Sequence, residues 1–361
     1  MKQQTRFYGL DIIRLISFLA IAVFHISVIH FHSDHLDIGD RSVIIFGIES
    51  FARSISFSGF TILFLSSLLT GLSGSNLAKR MKLFAFLFIG WIALCFLIHA
   101  KVNFLTTWDI YLLILLGLST ASVAEHCGKK TVRFLTVLGF VLLWIPFWEI
   151  GDFVENSFGL SIRWQSVLGF ANCPISFSEW PLLPWIGLIW FGYGIGFEIK
   201  EIRQNGSTES LRMTKSELTV WLVLLACSTI NWGAYYNIKL VEFFRCQAYK
   251  MPPFIFWSHL IWPIALIRAS IDDRVQLWLG KYKIVCWVTN LAISRHFWLA
   301  YATHYTLALF LSFLVNVSNV KSTFLYDYVV IFIALTFVPM TELTIRVLKG
   351  SYLMVRDRFV K

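Results

Sequence analysis

The chain has 361 residues, of which 57% are hydrophobic, 17% aromatic and only 14% charged, with a mean hydropathy of +0.68. A soluble domain of this size needs far more charged surface, so the composition excludes an ordinary globular protein and points to a polytopic membrane protein. The formal net charge of +10 invites a nucleic-acid partner, a reading that the placement of the charges removes below.

The first apolar stretch, Leu10 to Phe31, reads LDIIRLISFLAIAVFHISVIHF and follows Lys2 and Arg6. It is long enough to cross a bilayer. Its length, its charges and the lack of a small-residue cleavage site set it apart from a signal peptide. It carries Asp11, Arg14 and His25. A charged side chain inside a span costs on the order of a few kcal/mol, so such residues face a protein-lined cavity. Arg14 and His25 are eleven residues apart, and at about 100° and 1.5 Å per residue they project from one face, roughly 16 Å apart along the axis. Asp11 precedes Arg14 by three residues and can pair with it. The helix reads as one wall of a polar pocket running from one membrane surface toward the middle. The plainer alternative is an interfacial Asp11–Arg14 pair, with His25 bonding a neighbouring helix.

Nine more spans are predicted in chain order. The second runs from about Phe57 to Leu72, before the basic turn Lys79, Arg80, Lys82. The third is Leu83 to Ile98 and the fourth Ile110 to Ala124. Lys129, Lys130 and Arg133 precede the fifth, Phe134 to Trp148. An acidic, aromatic loop from Glu149 to Trp180 leads to the sixth, Leu182 to Phe197. A polar loop, Lys200 to Glu217, precedes the seventh, Leu218 to about Tyr235. The eighth is about Phe254 to Ile271. A short membrane-lying piece around Ile284 to Ile293 precedes the ninth, Phe297 to Val317, and the tenth is Phe324 to Thr341. The expected fold is all-α, with residues 1–345 as one transmembrane domain and 346–361 as a basic cytoplasmic tail.

The charges follow the membrane. With the N-terminus inside, the inner segments carry 22 Lys and Arg residues and the outer segments eight, Arg14 standing apart. That asymmetry is the positive-inside rule, and it places both termini in the cytoplasm. It also accounts for the net charge without nucleic acid. The six cysteines show no CxxC pair, so neither a zinc site nor a disulfide framework is indicated. Cys173 and Cys246 both fall in predicted outer loops, where a disulfide is permitted. His30, His32 and His35 with Asp34 and Asp37 are ordinary ligand types, but their spacing fits no standard metal pattern. They are read as lining an entrance or as solvated, and no metal is expected. Gly187, Gly192, Gly194 and Gly196 are spaced for close helix approach, or alternatively open an acyl channel. Trp and Tyr near span ends fit an interfacial belt, and Trp164 and Trp180 are also placed to stack on sugar rings.

The opening RFYGLDIIRLISFLAIAVFH, with an arginine, ten residues and a histidine, resembles the transmembrane acyltransferases. These are acyltransferase family 3 and the bacterial homologues of heparan-α-glucosaminide N-acetyltransferase. EWPLLPWIGLIWFGYGIG (Glu179 to Gly196), KMPPFIFWSHLIWP (Lys250 to Pro263) and WLAYATHYTLALF (Trp298 to Phe310) are similar to later stretches of the same group, in the same order. In FLSSLLTG the chain keeps Ser66 but has Ser67 where the family commonly has glycine. The resemblance implies transfer of an acyl group, usually acetyl, from cytoplasmic acetyl-CoA to a glycan on the far side of a bacterial inner membrane. It implies His25, Arg14 and His304 as catalytic residues, with Asp11, Ser66 and Trp185 as substrate-binding residues. The expected partners are acetyl-CoA, a surface glycan or lipid-linked saccharide, and membrane lipids, with lipopolysaccharide O-antigen as the expected acceptor.

The residue chemistry suits that expectation. A basic inner rim and Arg14 attract the phosphates of a coenzyme A thioester. A mid-membrane histidine either takes the proton of an attacking sugar hydroxyl or carries the acyl group itself. The rival class is a transporter or flippase for a polar solute or lipid-linked sugar, since buried Asp, Arg and His also build proton relays. That class is expected to show matching halves, and the sequence shows no convincing repeat.

Overall fold

The computed structural model describes residues 7–18, 58–73, isolated positions between 80 and 92, 110–170, 182–206, 211–239, 253–290 and three positions between 343 and 347. Among these residues every regular element is helical and no strand occurs, as the composition led us to expect. In chain order the helices are α1 (residues 8–18), α2 (Ser58–Ser73), α3 (Ile110–Cys127), α4 (Lys129–Leu142), α5 (Gly151–Phe158), α6 (Ile162–Leu168), α7 (Leu182–Gln204), α8 (Lys215–Lys239), α9 (Pro253–Ile271), α10 (Asp273–Leu279) and α11 (Lys283–Thr289). Among the described helices α7 is the one long and apolar enough to cross a membrane; Leu63–Ser73, Leu112–Cys127 and Leu260–Ile271 are shorter apolar helices. The predicted ninth and tenth spans lie outside the described residues.

The chain divides into a middle unit, Leu63–Ala265, and a terminal unit made of Met1–Ile62 with Leu266–Lys361. The middle unit is built around α7. Leu183 is extended (φ −103, ψ 133), as a residue before proline prefers, so the regular helix runs from Pro184. Small residues then let three neighbours come close. A Cβ built on Gly187 would lie 2.7 Å from the Gly139 carbonyl oxygen on α4, and one on Gly139 would lie 2.5 Å from that of Gly187. A Cβ on Gly192 would lie 2.6 Å from the Phe64 carbonyl oxygen on α2, and one on Gly117 of α3 would meet the Ile189 side chain at 2.8 Å. The glycines of α7 are therefore packing residues. Leu63, Phe64, Leu65, Leu68, Leu188, Ile189 and Tyr193 are buried in this core. An aromatic chain links Phe64 to Phe191 (centroids 5.7 Å apart), Phe191 to Phe140 (5.5 Å), Phe140 to Trp257 (5.2 Å) and Trp257 to Trp144 (5.4 Å).

Three boundaries differ from the sequence reading. The fifth helix starts at Lys129, not at Phe134, and its regular part ends at Leu142. Gly128, at φ +122, is the whole connection from α3. Its carbonyl accepts the first bonds of α4, from Thr131 N (3.1 Å) and Val132 N (3.3 Å). A side chain there would be strained. The cations read as a loop are in the first turns of a helix, and Pro146 follows where the helix has stopped.

The predicted loop from Glu149 to Trp180 holds a 3-10 turn (Phe147–Ile150) and the short helices α5 and α6. Helices of seven or eight residues are too short to show a clear period. α6 closes on Gly169 in the left-handed region (φ 99), whose N–H donates to the Gln165 carbonyl at 2.9 Å.

The polar loop after α7 is shorter than predicted, because α7 continues to Gln204 and α8 starts at Lys215. Thr214 caps α8: its Oγ1 accepts from Glu217 N at 3.1 Å, in the Thr-x-x-Glu spacing of a capping box.

In the terminal unit the start of α1 meets the end of α9. A Cβ on Gly9 would lie 2.5 Å from Ser270 Oγ, and Tyr8 Cε2 lies 3.3 Å from one built on Gly280.

Candidate functional site

The described part of the first predicted span lies in α1, which buries Leu10, Ile13 and Phe18 and exposes Ile16. Its helical register puts Asp11 and Arg14 one turn apart. Arg14 Nη1 lies 3.4 Å from Asp11 Oδ1, and the two side chains are only 16% and 11% exposed. This separation is longer than a charge-assisted hydrogen bond, so the pair is held by Coulomb attraction in a largely dehydrated setting. Removing either partner of such a pair costs stability, because the remaining charge loses a nearby opposite charge in that setting.

The other expected site residues lie elsewhere. His25 and His304 fall outside the described residues, as do the histidine and aspartate group from His30 to Asp37, Cys173 and Cys246. Ser66, on α2 in the middle unit, offers its carbonyl to Thr70 Oγ1 at 2.7 Å. Ser67 is buried and donates its hydroxyl to the Leu63 carbonyl at 2.6 Å, so its polar atom is satisfied within the helix's own backbone. Trp185 is buried in the first turn of α7. Since Phe64 and Leu68 face Gly192 and Gly196, Ser66 sits level with Gly194, about 14 Å along α7 from Trp185. The structure thus brings together Asp11 and Arg14, and separates Ser66 from Trp185.

The middle unit contains a charged network that the sequence reading missed. Arg80, itself only 4% exposed, places Nη2 2.7 Å from Glu125 Oε2 and donates from Nη1 to Ser122 Oγ at 3.3 Å and to the Tyr193 hydroxyl. Tyr193 donates in turn to Glu125 Oε2, and Lys200 Nζ donates to Glu125 Oε1 at 2.9 Å. Lys200 Nζ also lies 4.7 Å from the centre of the Phe197 ring, within cation–π range. One carboxylate thus holds two cations and a phenol.

A flanking layer of exposed pairs joins α4 to α7. Arg133 Nε is 2.7 Å from Glu198 Oε1, and Lys129 pairs with Glu201. The Glu198 hydrogen bond, with its charge, raises the Arg133 pKa above the ordinary guanidinium value.

Half of this network had a sequence signal. Ser122 and Glu125 are three apart, and Tyr193 and Lys200 seven apart, so each pair shares a helix face. What joins the two helices to Arg80 is not written in either one. Glu125 lies in the last turn of α3 and Lys200 in the C-terminal part of α7.

Compared with family models, with curated proteins and with solved structures, the chain matches none of them.

Proposed function

We propose that the protein is a bacterial inner-membrane acyltransferase of about ten spans, with both termini in the cytoplasm. It would move an acetyl group from cytoplasmic acetyl-CoA to a hydroxyl of a surface glycan, lipopolysaccharide O-antigen being the first acceptor to test. The observation that carries this reading is the Asp11–Arg14 pair, dehydrated on an otherwise apolar helix. Its supports are the Arg-to-His spacing in the sequence, the resemblance in order along the chain, and the excess of inner cations.

Membrane embedding has a further support in exposed apolar faces. α4 turns Phe134, Val137 and Val141 outward, and α8 turns out Leu218, Val220, Leu222 and Val223. In water such contiguous faces promote aggregation, whereas in lipid they are the ordinary outer surface.

In the proposed reaction Arg14, oriented by Asp11, binds the donor's phosphates. His25 takes the proton of the acceptor hydroxyl as the sugar oxygen forms the new C–O bond. The thioester C–S bond breaks and the thiolate leaves, to be protonated in turn. In the alternative order His25 accepts the acetyl group first and passes it on. His304 would polarise the carbonyl or relay the proton. Ser66 and Trp185 remain candidates for substrate contact, at different depths of the middle unit.

The test is the O-acetyl content of surface polysaccharide from cells expressing the wild type, His25→Ala or Arg14→Ala at matched membrane levels. Acetate that appears with the wild type and disappears in both variants supports the proposal. Unchanged glycans, with a solute or lipid-linked sugar accumulating on one side, would replace it with transport. Acetylation that survives His25→Ala would keep the enzyme class and move the base to His304.

A further inference from the structure

The pair of short helices α10 and α11 has its polarity reversed relative to a water-soluble surface. Leu277 is 72% exposed, Trp278 56%, Ile284 69% and Trp287 64%. The side chains turned inward include Asp272, Gln276 and Thr289, all buried. Each inward group has a bond within the chain: Asp272 Oδ1 caps Arg274 N at 2.8 Å, Gln276 Nε2 donates to the Ser270 carbonyl, and Thr289 Oγ1 donates to the Val285 carbonyl at 2.9 Å. The polar side is thereby turned into the protein, where Gln276 Oε1 is buried without a hydrogen-bond partner among the described residues, and the apolar side is turned out.

Seven residues of helix rise about 10 Å, far too little to cross the hydrocarbon. An element this short, with Trp and Ile on its outer face, suits the plane where headgroups meet acyl chains. Trp278 and Tyr282 stack edge to face at 5.1 Å beside that face, giving the amphipathic rings found at membrane interfaces.

The charges select the lipid. Lys281 and Lys283 are exposed on either side of Tyr282, and Arg274 is exposed while its carboxylate partner Asp272 is buried. With Asp273 half-buried, the exposed charges of the element are the cations Arg274, Lys281 and Lys283, next to an apolar face. That combination is complementary to anionic phospholipid, each lysine near such a surface being drawn to it.

We propose that α10 and α11 lie in the headgroup layer of the inner leaflet and bind anionic phospholipid, Trp278, Ile284 and Trp287 dipping among the upper acyl chains and Lys281 and Lys283 holding headgroup phosphates. Because Tyr8 and Gly9 pack on Gly280 and Ser270, this contact also sets the depth at which α1 and its Asp11–Arg14 pair sit. The inference rests on the membrane part of the proposed function and not on acyl transfer.

The experiment places the photo-crosslinker p-benzoylphenylalanine at Trp287, or separately at Val137 on α4, in the full chain. The protein is reconstituted in nanodiscs of mixed phosphatidylcholine and phosphatidylglycerol, and the adducts are read by mass. The expected result is lipid adducts at both positions, with phosphatidylglycerol over-represented at Trp287 several-fold relative to its share of the disc. Lys281→Glu with Lys283→Glu should return that ratio to the share of the disc while lipid adducts persist, with an unchanged melting temperature showing that the fold is intact.

Lipid adducts at Val137 without any at Trp287 would overturn the inference and leave the membrane reading standing. Adducts to a second copy of the chain at Trp287 would make the face an oligomer interface instead. Lipid adducts at Trp287 with no preference for phosphatidylglycerol would remove the anionic site. No lipid adduct at either position would remove the membrane reading itself.

Discussion

Arg80 and Glu125 meet across 45 residues of sequence, Nη2 to Oε2 at 2.7 Å, with Arg80 almost completely enclosed. A buried guanidinium is strongly stabilised by a carboxylate this close. Glu125→Gln should therefore destabilise the middle unit by about 3 kcal/mol, because it removes the negative charge that Arg80 and Lys200 share. The double change Arg80→Met with Glu125→Gln should cost less than Glu125→Gln alone, since the buried cation goes with the carboxylate. Thermal unfolding of detergent-solubilised protein measures both; equal melting temperatures for Glu125→Gln and the wild type would show that the network is not stabilising.

The outer pair Arg133–Glu198 makes the opposite case. Its atoms are as close, at 2.7 Å, but Arg133 is 61% exposed. Water and salt screen such pairs, and long side chains lose freedom in making them. Arg133→Ala should leave the melting temperature within error of the wild type at physiological salt. A large drop would mean that this pair is shielded in the membrane-bound protein.

The glycine contacts of α7 can be tested by size. Gly192→Leu forces a side chain against the Phe64 carbonyl, where even a Cβ would sit at 2.6 Å. The helices must separate or shift, at a cost of about 1–3 kcal/mol. The same leucine at Val137, which is exposed on α4, should be neutral. Comparable expression and melting temperatures for the two variants would contradict the packing role.

On the proposed function, Arg14→Lys keeps the charge but loses the planar fork that grips phosphate and carboxylate. It should raise KM for acetyl-CoA more than it lowers kcat, the mark of lost ground-state binding. Asp11→Asn should reduce kcat/KM about tenfold, equivalent to ~1.4 kcal/mol of transition-state stabilisation. Steady-state assays in membranes, with acetyl-CoA varied, separate the two. An unchanged KM in Arg14→Lys would take Arg14 out of donor binding.

Much of the helical layout was legible, and the reasons are local. The apolar run from Leu182 and the glycine spacing within it announce a packed helix, whereas α8 starts at Lys215, three residues before the apolar run from Leu218 suggests. Asp11 and Arg14 could be paired from their spacing alone, because both lie on one helix. The start of α4 was misplaced because Lys129, Lys130 and Arg133 look like loop residues until Glu198 and Glu201 on another helix are known to face Arg133 and Lys129. The network of Glu125, Tyr193 and Lys200 was only half legible for the same reason: the shared faces can be read from spacing, but helix periodicity says nothing about which faces meet or that Arg80 joins them. α5 and α6 were hidden by their brevity.

The contact of Gly9 with Ser270 has a bearing on how the protein is made. About 260 residues separate the two positions, and at roughly 5–20 residues per second the ribosome needs on the order of tens of seconds to bridge them. The first helix, with a charged pair on it, leaves the ribosome long before the surface that shelters its start exists. The middle unit, Leu63–Ala265, can be completed in that interval. On the proposed membrane reading, the first helix would have to be shielded meanwhile, and an insertase that retains it until the eighth predicted span arrives would do so.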